Sequence, residues 1–148
     1  MAGSIMVAFK SKLVEQLALL PAMSGVKLSY GDPGENALKE TIWCGRILEN
    51  EHEPVALKAG RRRREESFTL EVYVDVTGTR LTHERAEARA VALGQALEEY
   101  LADNPKLDDS VTGLLFAVVA GMELVTLQTT DGPSTRLTVS IDVKGRLL

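Results

Sequence analysis

His83-Glu84-Arg85-Ala86-Glu87 is the stretch that comes nearest to a catalytic motif. Zinc peptidases set two histidines four residues apart, so that both imidazoles leave one helix face toward the metal. Glu87 stands at that second position, so His83 and Glu87 offer at most a weak two-point site. A solvated first helical turn whose acids suit the helix dipole is the plainer reading. Cys44, the sole cysteine, would need a neighbouring base to act as a nucleophile. His52 and His83 are the only histidines, and the sequence alone places neither beside it. A small apolar side chain within a strand accounts for Cys44 without chemistry. Gly31-Asp32-Pro33-Gly34 is too short and proline-broken to cradle phosphate, and no serine stands in a nucleophile-elbow pattern. The acid pairs Glu65-Glu66, Glu98-Glu99 and Asp108-Asp109 are adjacent, a spacing typical of exposed surface. These residues predict no catalytic site, no metal site and no cofactor.

The segment 49–65 carries a different kind of signal. Glu49, Glu51 and Glu53 lie in its first part, and Lys58 with Arg61, Arg62, Arg63 and Arg64 in its second. Two readings are open. In one, a solvated hairpin sets its acidic arm against its basic arm. In the other, the contact is intermolecular: acids of one copy meet arginines of the next, or the arginines meet DNA phosphate. Aromatic residues are absent from this segment, which argues against stacking on single-stranded bases.

The elements that must position these residues follow from hydrophobic period. Met6, Phe9, Leu13, Leu17 and Leu20 recur every three or four residues, which predicts a helix from about Ile5 to Leu20, with Ser4 as N-cap and Pro21 as its stop. Val26 to Tyr30 reads as a short strand, and Thr41 to Leu48 as a second. Glu49 to Glu65 is expected to be a polar connection. Residues 66–76 alternate: Phe68, Leu70, Val72, Val74 and Val76 on one side, Ser67, Thr69, Glu71, Tyr73 and Asp75 on the other. One wet face predicts an antiparallel sheet covered on one side only. A second helix is expected from about Thr82 to Ala102, burying Ala86, Ala90, Leu93, Leu97, Tyr100 and Leu101, and ended by Asn104-Pro105. Residues 111–130 read as one strand with a bulge at Gly121, or as two short ones. After a turn at Asp131-Gly132-Pro133, residues 135–144 alternate again. Two helices packed on one face of a mainly antiparallel sheet is the α+β solution.

Composition sets the outer bounds. A chain of 148 residues, 45% hydrophobic and 26% charged, fits a single domain spanning residues 1–148 with a real core. Net charge −4 leaves no global nucleic-acid or membrane footprint. One cysteine permits no intrachain disulfide and suits a reducing compartment. The first residues lack a signal-peptide pattern, and no apolar run is long enough to span a bilayer, so a cytosolic protein without membrane contact is expected.

The whole pattern resembles the tail terminator proteins of long-tailed bacteriophages, also called tail completion or head–tail joining proteins. The matching features are the amphipathic first helix and the arginine-rich segment running into Arg63-Arg64-Glu65-Glu66-Ser67-Phe68-Thr69-Leu70-Glu71-Val72. With them go the helix Glu84 to Leu101 and the closing stretch from Glu123-Leu124 to Arg136-Leu137-Thr138-Val139-Ser140-Ile141. The resemblance covers nearly the whole chain through diffuse patterns. It implies a non-enzymatic homo-oligomer, a hexameric ring in the virion tail, assembled in the host cytoplasm. Such a ring caps the tail tube protein, ends its polymerisation, and meets the head connector protein while DNA passes through. Arg61 to Arg64 match the loop between the family's second and third strands. The candidate contact residues for subunit, tube or DNA are therefore Arg61, Arg62, Arg63, Arg64, Glu49, Glu51 and Glu53. The rival readings are another neck or connector component, and a small α+β enzyme or ligand-binding domain with an unrecognised pocket.

Overall fold

A computed structural model describes residues 3–34, 39–56, 63–78 and 80–147, with the backbone alone at 54–56 and 63. Helix α1 runs Met6–Leu17 and α2 runs His83–Asp103. Five strands, β1 Lys27–Ser29, β2 Glu40–Ala56, β3 Arg63–Thr77, β4 Leu114–Thr129 and β5 Gly132–Leu147, form one sheet in the order β1-β2-β3-β5-β4. Only β1 pairs in parallel, with β2; every other neighbour is antiparallel. This is the α+β architecture the alternation predicts, with both helices on one face.

The centre of the sheet is the β3–β5 seam, where Val72 lies opposite Val139 and Leu70 opposite Ile141. Phe68, Leu70, Val72, Val74 and Val76 are all buried, as are Leu137, Val139, Ile141 and Val143. The α2 stripe of Ala86, Ala90, Leu93, Leu97, Tyr100 and Leu101 is buried too. Burying a leucine or valine fully contributes roughly 1.5–3 kcal/mol, so this stripe fixes which face α2 presents. Gly94 sits where a Cβ would collide with Leu137, and its absence lets α2 lie close on β5 and touch Met122 of β4. Toward the other end of the sheet α1 buries Phe9, Leu13 and Leu17, with Phe9 edge-on to Phe68 at 6.2 Å. Thr82 caps α2, its hydroxyl accepting from the Arg85 amide at 3.2 Å. Arg89 then ties α2 to β2 through two bonds to Glu40, at 2.6 and 3.0 Å.

Two expectations need correction, and one open choice is settled. Residues 49–65 are not simply a polar connection: β2 continues to Ala56 and β3 begins at Arg63. Backbone pairing carries these strands past the last apolar alternation, and backbone bonds leave no mark in side-chain pattern. Ser4 is not the N-cap of α1; Ile5 holds that place, with no side-chain cap. The Ser4 hydroxyl, one residue further out, still accepts from the Met6 amide at 3.1 Å, and it donates to Glu66 at 2.5 Å, a partner 62 residues away. Residues 111–130 hold one strand, β4, as the first of the two alternatives has it, with register shifts between Leu114 and Phe116 and between Val119 and Gly121.

Candidate assembly site

The β2–β3 hairpin holds most of the charged residues singled out above. Its register sets Glu51 opposite Ser67, His52 opposite Glu66, Glu53 opposite Glu65, Pro54 opposite Arg64 and Ala56 opposite Arg63. The acidic arm therefore does not face the arginines among the described residues. At Arg63 and Arg64 this register runs against charge matching between the arms, while Lys58 lies outside the described residues; the register shifts between Leu48 and Glu51, beside Glu49 at φ 53°, and between Pro54 and Ala56. Arg64 is exposed, while Arg61 and Arg62 lie outside the described residues. Glu49 and Glu51 line a shallow groove of about 340 Å³ on the sheet face that no helix covers, together with Thr69, Phe116, Val118, Asp142 and Lys144.

That open face is a lattice of ion pairs. Glu65 takes Arg146 at 2.9 Å and Lys144 at 3.1 Å, and the bond from Arg146, with that from Lys144, holds its carboxyl below the usual carboxylate range. Glu71 takes Arg46 at 2.7 Å and the Tyr73 hydroxyl at 3.0 Å, with the same downward effect led by Arg46. Asp75 accepts from Trp43 Nε1 at 2.8 Å and from Arg136 at 2.8 and 3.1 Å. The Arg136 guanidinium lies 4.6 Å from the Tyr73 ring centre and 5.2 Å from that of Trp43. Gly45 makes room for this stack, because a Cβ there would stand inside the Tyr73 ring. Arg46, Arg136, Lys144 and Arg146 are thus already committed to carboxylates, so this face offers a polyanion little free positive charge.

Glu66 is the residue that the sequence reading missed. It is fully buried and bonded by Ser4 Oγ at 2.5 Å, Asn50 Nδ2 at 2.6 Å and the Ile5 amide at 2.9 Å, with His52 Nε2 at 3.4 Å. Burial opposes its charge, but the bonds from Ser4, Asn50 and Ile5 outweigh it and hold the carboxyl below its usual range. A signal did exist: Glu66 falls two residues before Phe68, in phase with the apolar side of β3. The open-face stack had no such signal, since Trp43, Asp75 and Arg136 meet only once the strand register is known.

The remaining chemical candidates sit apart. His83 Nε2 is 2.8 Å from Gln128 Oε1 across to β4. Cys44 is buried, and burial pushes its thiol up to about 11, away from the thiolate that nucleophilic attack needs. A cleft of about 550 Å³ near the start of α2 is lined by Lys39, Glu40, Val76, Thr77, Arg80 and Leu81, a set without histidine or cysteine. Among the described residues no helix is long and apolar enough to cross a membrane.

No protein-family model and no curated protein matches this sequence. The fold does have counterparts. A chain from the virion of the native gene transfer agent particle aligns with 96% of this chain and 100% of its own length, at TM-score 0.53 and 15% identity. The bacteriophage SPP1 gp17 protein aligns over 95% of this chain and 91% of its own, at TM-score 0.49 and 17% identity. The first likeness shows a fold shared along the full length of both chains.

Proposed function

We propose that this chain is a structural component of a phage or phage-like virion: a non-enzymatic subunit whose hexameric ring caps the tail tube. The ring ends tube growth and joins the tube to the head connector. The observation that carries the reading is the end-to-end fold likeness to a virion chain, over 96% of one and 100% of the other. The open sheet face supports it independently. A surface whose cations are bound by Glu65, Glu71 and Asp75 suits a channel along which DNA slides without sticking. The charged β2–β3 hairpin, paired well beyond the alternating core, suits contact with a neighbouring subunit or the tube. Deleting the gene from the genome that encodes it tests the reading. Electron micrographs are expected to show filled heads separate from tubes of uneven length. Normal joined particles would overturn the assignment.

A further inference from the structure

Nine large apolar side chains are exposed among the described residues, and they divide between the two ends of the sheet. Phe116, Val118, Met122, Leu124, Val125 and Leu127 lie on β4, the strand at one edge. Tyr30 follows β1, the strand at the other edge, while Val7 lies on α1 and Leu19 just past it. α1 touches β1 and β2, and Lys10 Nζ stands 4.2 Å from the Tyr30 ring centre, so this helix belongs to the β1 end. Between the ends, β2, β3, β5 and α2 expose no large apolar side chain among the described residues. Such side chains scattered singly need no explanation. Confined to two opposite ends, they mark surfaces that another molecule covers.

Charge says what covers them. β4 has no lysine or arginine, and Glu123 is its only charge. α2 adds two carboxylates to that end. The His83–Gln128 bond and the packing of Gly94 against Met122 fix which side of α2 leans over β4. Glu87 and Glu98 follow those two residues by four and so share that side. None of these three acids has an ion pair among the described residues. At the other end the free charges are cations: Lys10 and Lys27, with Lys39, which shares a cleft with Gly25 ahead of β1. Lys12 there pairs with Glu15 at 3.2 Å, and Asp32 accepts from the Gly34 amide at 2.9 Å. Each end thus repels its own kind and attracts the other. A two-fold contact would set like charges face to face; a head-to-tail contact sets opposite ones together.

We infer that the β4 end of one copy docks on the α1–β1 end of the next. The apolar side chains of β4 meet Val7 and Tyr30 at the centre, and Glu87, Glu98 and Glu123 meet Lys10, Lys27 and Lys39 at the rim. The inference rests on the ring reading above and names the two surfaces that each of its contacts joins. A heterologous contact of this kind repeats from copy to copy and closes when the rotation per step fits.

Charge reversal on the purified protein tests it. Sedimentation at low salt is expected to show the native protein passing beyond a dimer between about 1 and 100 μM, and less so as salt is added. Glu98→Lys with Glu123→Lys reverses one end, and Lys10→Glu with Lys39→Glu reverses the other. Each variant alone should associate at least about tenfold more weakly. An equimolar mixture of the two should recover association, because alternating copies again join opposite charges at every contact. That recovery would also show that both variants fold. A native monomer throughout the range, an assembly that stops at the dimer, variants that associate as the native protein does, or a mixture no better than its components would each overturn the proposal. The gene deletion reads the ring assignment separately: normal joined particles would remove that assignment, and the charge reversals would still decide whether these two ends meet.

Discussion

Glu66 joins three parts of the chain at one carboxylate: the residues ahead of α1, the middle of β2 and the start of β3. Each of its bonded neighbours is a donor, so only an acceptor serves there. Glu66→Gln would turn an amide NH2 toward those donors and leave buried polar atoms unpaired, at about 1–3 kcal/mol. The pH dependence follows from the lowered carboxyl. Its contribution is complete above the unfolded glutamate value of about 4.3 and is lost as pH falls through the lower folded value. Urea melts from pH 7 to pH 3 should show the native protein losing stability in the acid limb, and Glu66→Gln starting lower with a shallower fall. A variant as stable as the native protein would mean that the carboxylate holds nothing. This residue could be recognised as anomalous from its phase on β3, but its partners could not. Ser4 and Asn50 are brought to it by tertiary contact, and Ser4 serves two ends at once, accepting from the Met6 amide while donating to Glu66.

At the level of elements, α2 and the β3–β5 pair were legible because each buries one face and wets the other. Leu97 illustrates the energetic weight of that pattern. It is fully buried in the same cluster as Leu93, Val72 and Ile141, and Leu97→Ala is expected to cost about 2–4 kcal/mol. A denaturant midpoint unchanged by the substitution would refute the packing of α2 on that face. The hairpin arms beyond Leu48 were illegible for the converse reason. Glu49, Asn50, Glu51, His52 and Glu53 are all exposed, so no apolar period marks them as strand. Strand order was hidden as well. Nothing in local sequence tells that β5, rather than β4, lies against β3.

For the molecule as a whole, the arginine run is expected to act between subunits or on the tube rather than in folding. The exposed Arg64 shows no described ion pair, and such surface pairs are worth only about 0.2–1 kcal/mol each. Replacing Arg61, Arg62, Arg63 and Arg64 by serine should change folding stability by less than about 1 kcal/mol. Tail completion should fall, and what remains should be less sensitive to added salt. Calorimetry of the purified protein and particle counts from complemented lysates read the two effects separately. Particles formed at the native level would leave the run a solvated hairpin tip; an unfolded variant would make it structural. The candidate site was therefore legible as a place, the segment between the second and third strands, but not as a set of contacts. Which acid meets which base depends on register, and register here is broken by bulges.

The strand order also constrains the sequence of events during synthesis. β2–β3 and β4–β5 are hairpins of neighbours, the second closed by only Thr130 and Asp131 between paired Thr129 and Gly132. The seam joining them pairs residue 64 with 147 and 77 with 134. Local hairpins close in microseconds, whereas long-range seams wait for a large loop to shut. On the ribosome, β3 emerges long before β5, its inner edge open and lined by the valines that later form the core. A nascent chain paused before Gly132 would expose two apolar strands, β3 and β4, and lack the one strand that belongs between them.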